Sequence, residues 1–221
     1  MNTAHIIELL KQKSNADHHA GMLRFGVNNT KALGVKVPEL RKLASTIKKN
    51  HQLAQQLWDT DIHEARILAS MIDDPALVTT QQIDAWVKDF ETWDVCDQVC
   101  GNLFDRTPYA IDKALEFSAH KEEFIKRAGF VLMAEYAVHN KTADDQVFIA
   151  LFPVMEREAW DDRNFVKKAV NWALRQIGKR NDNLLPLAIA CSERIKQQNT
   201  KSAKWIAGNA LTELQPKLLK K

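Results

Sequence analysis

Apolar residues recur in this chain at helical spacing, and the alternation of apolar and polar residues that is typical of strands is absent from the sequence. The segment from 163 to 180 shows the clearest pattern. One stripe of its helical wheel holds the apolar residues Val166, Ala169, Val170, Ala173 and Ile177. With only 7 Gly and 6 Pro in 221 residues, the chain also has few helix-breaking residues. These features predict an all-α protein.

From about residue 50 the predicted helices come in pairs. The first helices of the pairs are predicted at 51–59, 80–91, 108–119, 144–158 and 182–198. Their partners, called second helices below, are predicted at 62–73, 94–105, 122–139, 163–180 and 201–217. Such pairs bury their apolar sides only by stacking on neighbouring pairs. The pattern therefore predicts a right-handed α-solenoid of HEAT- or armadillo-like helix pairs.

The residues before the pairs predict a helical N-terminal cap over about residues 1–50. Its helices are predicted at 3–13, 18–25 and 38–49, and Pro38 suits the first turn of the last one. No linker rich in Pro, Gly or Ser follows. We therefore expect one domain over 1–221, in which residues 51–217 form five helix pairs.

Composition excludes several classes of protein and leaves others open. The formal net charge of +3 permits a polyanionic partner without requiring one. The 3 Cys are an odd number, which suits a reducing cytosol. The N-terminal residues lack the apolar core of a secretory signal, and no apolar run is long enough to span a membrane. We expect a cytoplasmic protein without a membrane anchor, and a monomer, because no heptad or apolar edge is evident.

The second helices share a basic residue near the start of the helix, before an apolar run. The examples are Arg66, Arg127, Lys168 and Lys204. If these helices stack, the cations form a row beside helix N-termini, whose free N–H groups and positive dipole also attract phosphate. The alternative is a solvated polar first turn on each helix.

The segment from 163 to 180 carries a tryptophan away from its apolar stripe. The opposite face holds Asn164, Lys168, Trp172, Arg175 and Lys179. A solvated indole among cations would leave a large apolar area uncovered. We therefore expect Trp172 to contact either a neighbouring helix or a nucleic-acid sugar or base.

The stretch from Thr92 to Asp97 places an indole and a carboxylate, Trp93 and Asp97, one helical turn apart. Asp94 and Asp97 also suit a structural role at the start of a helix. Cys96 and Cys100 lie one turn apart, but Cys191 is the only other thiol, so a four-ligand zinc site is not expected. We expect neither a metal nor a cofactor.

Taken together, these residues resemble the bacterial AlkD-type alkylpurine DNA glycosylases, a family built of HEAT-like repeats. The resemblance extends from about Leu33 to Leu211. It depends on the order and spacing of five segments: Gly34 to Arg41, Leu57-Trp58 followed by His63-Glu64, Trp93 to Asp97, Lys126-Arg127, and Lys168 to Arg175.

The resemblance implies hydrolysis of the N-glycosidic bond of cationic bases, such as 3-methyladenine and 7-methylguanine, in duplex DNA without base flipping. It implies that the working residues are Trp93, Asp97, Arg127 and Trp172. We expect further DNA contacts from Arg66, Lys126, Asn164, Lys168, Arg175, Lys179 and Lys204.

Two other functions stay open at this point. Relatives of these enzymes bind branched or distorted DNA without excising bases, and helical repeats also serve as protein-interaction scaffolds. Cys96, Cys100 and Gly129 depart from the pattern of the enzymes, although all four working residue types are present.

Overall fold

The computed structural model describes residues 1–219, and all the regular structure in that range is helical. The helices are α1 (Thr3–Gln12), α2 (Ala16–Arg24), α3 (Val37–Ile47), α4 (His51–Trp58), α5 (His63–Ile72), α6 (Thr80–Lys88), α7 (Trp93–Asn102), a 3-10 helix (Phe104–Arg106), α8 (Ala110–Ser118), α9 (Glu123–His139), α10 (Asp145–Ile149), α11 (Phe152–Glu158), α12 (Asn164–Gly178), α13 (Leu184–Gln197) and α14 (Lys201–Leu219). The prediction of an all-α protein is confirmed.

The chain forms two compact units, Met1–Thr107 and Pro108–Lys221. The first contains α1 to α7 and the 3-10 helix, and the second contains α8 to α14. The single domain predicted over 1–221 stays a prediction.

The largest differences between predicted and observed helices are at 80–91, where the helix ends at Lys88, and at 94–105 and 144–158. The helix predicted at 144–158 is divided into α10 and α11. Pro153 is the second residue of α11 and has no N–H to donate to the carbonyl of Ile149, so a continuous helix would lose a hydrogen bond there. The helix predicted at 94–105 ends at Asn102, because Leu103 leaves helical geometry at φ −132° and ψ −61°.

Within the first unit, a buried carboxylate on α5 binds the loop that precedes α3. Glu64 on α5 accepts hydrogen bonds from the backbone N–H groups of Leu33, Gly34 and Val35 at 2.8, 2.6 and 3.1 Å. Gly34 has φ +77°, and a Cβ there would lie 3.0 Å from the backbone nitrogen of His19 and closer still to the carbonyl oxygen of Asn15. Glycine is therefore required in this loop.

Stacked aromatic rings form part of the core of the first unit. The rings of Trp58 and Trp86 are nearly parallel, with centroids 4.0 Å apart. Phe90 and Phe104 pack on them, with centroids 6.2 Å from Trp58 and 6.3 Å from Trp86 respectively. These contacts join α4 and α6 to the residues that follow α7.

In the second unit α9 packs between α8 and α12, and α12 also packs against α13 and α14. The apolar stripe predicted on α12 is confirmed, because all five of its residues are completely buried. On the same helix, Asn171 Nδ2 donates to the carbonyl of Ile206 at 3.0 Å, which links α12 to α14. The close approach of α8 and α9 depends on Gly129, where a Cβ would lie 2.8 Å from the carbonyl oxygen of Ala114.

We expect Gly129→Ala to lower the free energy of unfolding by about 1–3 kcal/mol, because the added methyl group would push the backbones of α8 and α9 apart. Gly208→Ala is the matched control. Gly208 also lies within a helix, but a Cβ there meets no atom within 4 Å, and we expect a gain of about 0.5–1 kcal/mol. Urea unfolding of both variants tests the pair, and equal effects of the same sign would contradict the packing argument.

Candidate functional site

The start of α7 is fixed by a buried histidine. His63 on α5 is 1% exposed, and its Nε2 lies 2.8 Å from Oδ2 of Asp94. Burial opposes ionisation of Asp94, but the hydrogen bond to His63, with smaller help from Thr92 and the Val95 N–H, lowers the pKa of Asp94 below its usual value. Asp94 is thus occupied in holding α7 to α5.

Trp93 and Asp97 lie on the same side of α7 and are both half-buried. The indole Nε1 of Trp93 donates to the carbonyl of Phe25 at 2.9 Å, just after α2 ends, and this bond orients the ring. A site formed by Trp93 and Asp97 stays a prediction.

The cysteines of α7 are buried free thiols, as is Cys191. Burial raises the pKa of Cys100 well above its usual value, and contact with Cys96 and the charge of Asp97 raise it further. Protonated, buried thiols pack as small apolar groups. Within residues 1–219, the structure contains no group of three or more His, Cys, Asp or Glu side chains placed to hold a metal ion.

Arg127 and Trp172 belong to the second unit, on the adjacent helices α9 and α12. Arg127 is 6% exposed, and its Nη1 donates to the carbonyl of Phe165 at 2.6 Å. This bond fixes the guanidinium beside the first turn of α12. Trp172 is half-buried, which agrees with its predicted position off the apolar stripe.

Lys126 is not the surface cation that the sequence predicted. Its side chain is 4% exposed, and its Nζ lies 2.6 Å from Glu158 and 3.0 Å from Asp161. Burial disfavours the charge on both carboxylates, but Lys126, with Arg157 beside Glu158 and with Arg163 beside Asp161, lowers the pKa of each. The prediction of a DNA contact at Lys126 is corrected to a buried ion pair.

Arg66 needs the same correction in the first unit. It is 8% exposed, its Nη1 lies 2.7 Å from Asp61, and its Nη2 lies 3.3 Å from Asp89. Its guanidinium carbon also lies 5.1 Å from the ring centre of Trp58. Its charge is balanced within the protein, so the row of cations predicted from the sequence does not include it.

Arg175 and Lys179 are half-buried and share a carboxylate. Arg175 is ion-paired with Glu213 on α14, and Lys179 Nζ lies 2.7 Å from the other oxygen of Glu213. Burial disfavours the charge of Glu213, but the two cations lower its pKa. The positive charge available to an external ligand here is smaller than the sequence suggests.

Of the predicted DNA contacts, Asn164, Lys168 and Lys204 are exposed. Among the described residues, no carboxylate lies within ion-pair distance of either lysine. The structure also exposes two tryptophans that sequence reasoning left out, Trp160 at 57% and Trp205 at 40%. The adjacency of Trp205 to Lys204 was the available signal.

Lys126→Ala should lower the free energy of unfolding by about 3 kcal/mol, because it leaves Glu158 and Asp161 buried without their shared cation. Lys168→Ala removes an exposed lysine from α12, which packs against α9, and should change stability by at most about 0.5 kcal/mol. Urea unfolding at neutral pH measures both. Equal stability of the two variants would show that the buried ion pair is not formed.

Asp94→Asn should lower stability by about 1–2 kcal/mol at neutral pH, because it removes the carboxylate that pairs with His63. The pKa of Asp94 is lowered by folding, so its contribution is present above the usual aspartate pKa and is lost as the pH falls through the lowered value. The stability difference from wild type should therefore shrink in acid. The control is Asp112→Asn, at an exposed carboxylate of α8. A difference that is constant with pH, or equal in the control, would contradict this role.

Comparison with known proteins places these features in a family. A family model described as a DNA alkylation repair enzyme matches residues 6–213. One solved structure, described as belonging to a new family of proteins related to the HEAT-like repeat DNA glycosylases with affinity for branched DNA structures, matches with a TM-score of 0.79. That match has 17% sequence identity and covers 97% of this chain and 96% of that chain, so it shows a shared fold.

A search of curated proteins finds no match. No helix in the part of the chain that the structure describes is long and apolar enough to cross a membrane. The HEAT-like fold expected from the helix pairs is confirmed by the structural match. Since the family model covers nearly the whole sequence, the chain belongs to the DNA alkylation repair enzyme family.

Proposed function

We propose that this protein is a DNA glycosylase that hydrolyses the N-glycosidic bond of cationic alkylated purines, such as 7-methylguanine and 3-methyladenine, in duplex DNA. The observation that carries the proposal is that Trp93 and Asp97 lie one helical turn apart on α7, with both side chains half-buried. The hydrogen bond from Trp93 Nε1 to the carbonyl of Phe25 sets the orientation of the indole.

The chemistry requires little from the protein at the base itself. An N-alkylated purine already carries positive charge and is a good leaving group, and positive charge develops on the deoxyribose as the bond breaks. A carboxylate such as Asp97 would stabilise that charge and orient the attacking water. The face of Trp93 would pack on the sugar and attract the developing cation. Trp172, in the second unit, is a further proposed DNA contact.

The remaining contacts fall on the DNA backbone. Arg127 is the proposed contact to a phosphate beside the lesion, because its bond to the Phe165 carbonyl fixes the plane of the guanidinium and a paired contact depends on that plane. Lys168 and Lys204 are exposed and would contact phosphates further along. Because these contacts involve sugar and phosphate, we propose that the lesion stays in the duplex during cleavage.

Base release is the measurement that tests this proposal. Purified protein is incubated with methylated duplex DNA, and free 7-methylguanine and 3-methyladenine are detected. Wild type should release base, and Asp97→Asn should slow release by at least about a hundredfold, because the charge that stabilises the transition state is lost. Glu91→Gln removes an exposed carboxylate just before α7 and should release base at the wild-type rate.

The second candidate is a binder of branched or distorted DNA that performs no chemistry. It is favoured by the structural match to a family with affinity for branched DNA structures. It requires that folded wild-type protein releases no base and binds a four-way junction more tightly than a linear duplex of the same length. If Asp97→Asn releases base at the wild-type rate, the proposed role of Asp97 is wrong, and other residues perform the chemistry.

A further inference from the structure

An exposed tryptophan on α14 is not used by the proposed chemistry. Trp205 is 40% exposed, and Nζ of Lys167 on α12 lies 5.7 Å from the centre of its ring. An indole is a large apolar group, and leaving it in water forgoes the free energy of burying it. Neither Trp205 nor Lys167 is among the DNA contacts expected from the sequence.

The helices α9, α12 and α14 are aligned at their starts. Phe124 and Phe165, the second residues of α9 and α12, have ring centres 5.4 Å apart. At the next junction, the hydroxyl of Ser202, the second residue of α14, donates at 2.6 Å to the carbonyl of Asp161, which precedes α12. The N-terminal ends of the three helices therefore lie side by side.

Trp205 is the fifth residue of α14, and the fifth residues of α9 and α12 are Arg127 and Lys168. Arg127 is the proposed phosphate contact, and Lys168 is an exposed cation on the helix between them. All three residues therefore lie near the N-terminal ends of neighbouring helices, and Lys168 and Trp205 are exposed there.

Four lysines lie close to Trp205 along α14 or beside Lys167 on α12. The lysine–tryptophan surface consists of Lys167, Lys168, Lys201, Lys204 and Trp205. Within residues 1–219, none of its four lysines has a carboxylate within ion-pair distance.

The nearby acidic groups are already engaged. Asp161 is paired with Lys126 and Arg163, and Glu213 is paired with Arg175 and Lys179. Unpaired cations beside an aromatic face are the combination that binds nucleic acid through phosphate and through a sugar or base face.

We propose that the lysine–tryptophan surface is an outer DNA contact, in which Trp205 packs on a deoxyribose or base and the lysines neutralise the adjoining phosphates. The inference rests on the DNA binding in the proposed function, but not on its chemistry. Two helix spacings separate α14 from α9, roughly 16–20 Å. A strand rises about 3.4 Å per nucleotide, so Trp205 would act about five or six nucleotides from Arg127.

The test is DNA affinity as a function of duplex length. On a duplex that extends about ten base pairs beyond the lesion on each side, Trp205→Ala should bind about tenfold more weakly than wild type. Trimming one side to about three base pairs should abolish the difference, because the DNA no longer reaches Trp205. Trimming the other side should leave the difference intact.

Further variants separate the roles of ring and charge. Trp205→Phe keeps an aromatic face and should recover most of the affinity. Lys168→Ala combined with Lys204→Ala should reduce the slope of log affinity against log salt by about 0.9 per lysine, whereas Trp205→Ala should leave that slope unchanged. Leu187→Ala is the matched control, because Leu187 is an equally exposed apolar residue on α13 and should not affect binding.

Three results would overturn the inference. One is a folded Trp205→Ala protein with wild-type affinity for the long duplex, and another is a loss that persists on duplexes trimmed from either side. The third is a loss of affinity for polyglutamate in Trp205→Ala that is as large as its loss of affinity for the long duplex. That result would assign the surface to an acidic protein. If wild type binds no duplex at all, the proposed function itself fails, and that result is distinct from each of the three.

Discussion

Burial of one apolar stripe on each second helix is the constraint on which the rest of the structure depends. A pair of helices cannot cover its own apolar residues, so each second helix must turn its stripe toward its neighbours. On α12 this places Val166, Ala169 and Ile177 fully inside the second unit. Once the stripe is fixed, the rotation of the helix decides which polar residues face outward, and candidate sites follow from that rotation.

The same packing decides which cations are available to a ligand. Placing an unpaired charge inside a protein costs several kcal/mol. A basic residue near the stripe is therefore buried only where carboxylates balance its charge. Lys126 and Arg66 meet this condition through pairs of acidic partners. Lys168 and Lys204 are exposed, and no carboxylate lies within ion-pair distance of either one in the described residues. Similar sequence positions thus have opposite electrostatic roles.

The two aspartates of α7 also differ in their surroundings. They are three residues apart, and either could have been the structural one. Asp94 lies against buried His63, and the resulting hydrogen bond holds the helix start in place. Asp97, one turn after Trp93, is the carboxylate that the proposed mechanism uses. A fixed helix start also holds Trp93, whose indole is fastened to Phe25, so stability and the proposed site depend on shared contacts.

The sequence by itself determined the helical class, most helix bounds and the buried face of α12, because helical periodicity is a local property that apolar burial reinforces. It also singled out Trp93, Asp97, Arg127 and Trp172 as candidates. Only the tertiary structure decided that Lys126 and Arg66 are internal ion pairs, and that Trp205 is exposed beside Lys167. The partners of these residues lie between 5 and 38 positions away in the chain, and no local pattern reports such contacts. The physical reason is that side-chain burial and charge pairing depend on how helices stack, whereas helix formation depends mainly on neighbouring residues.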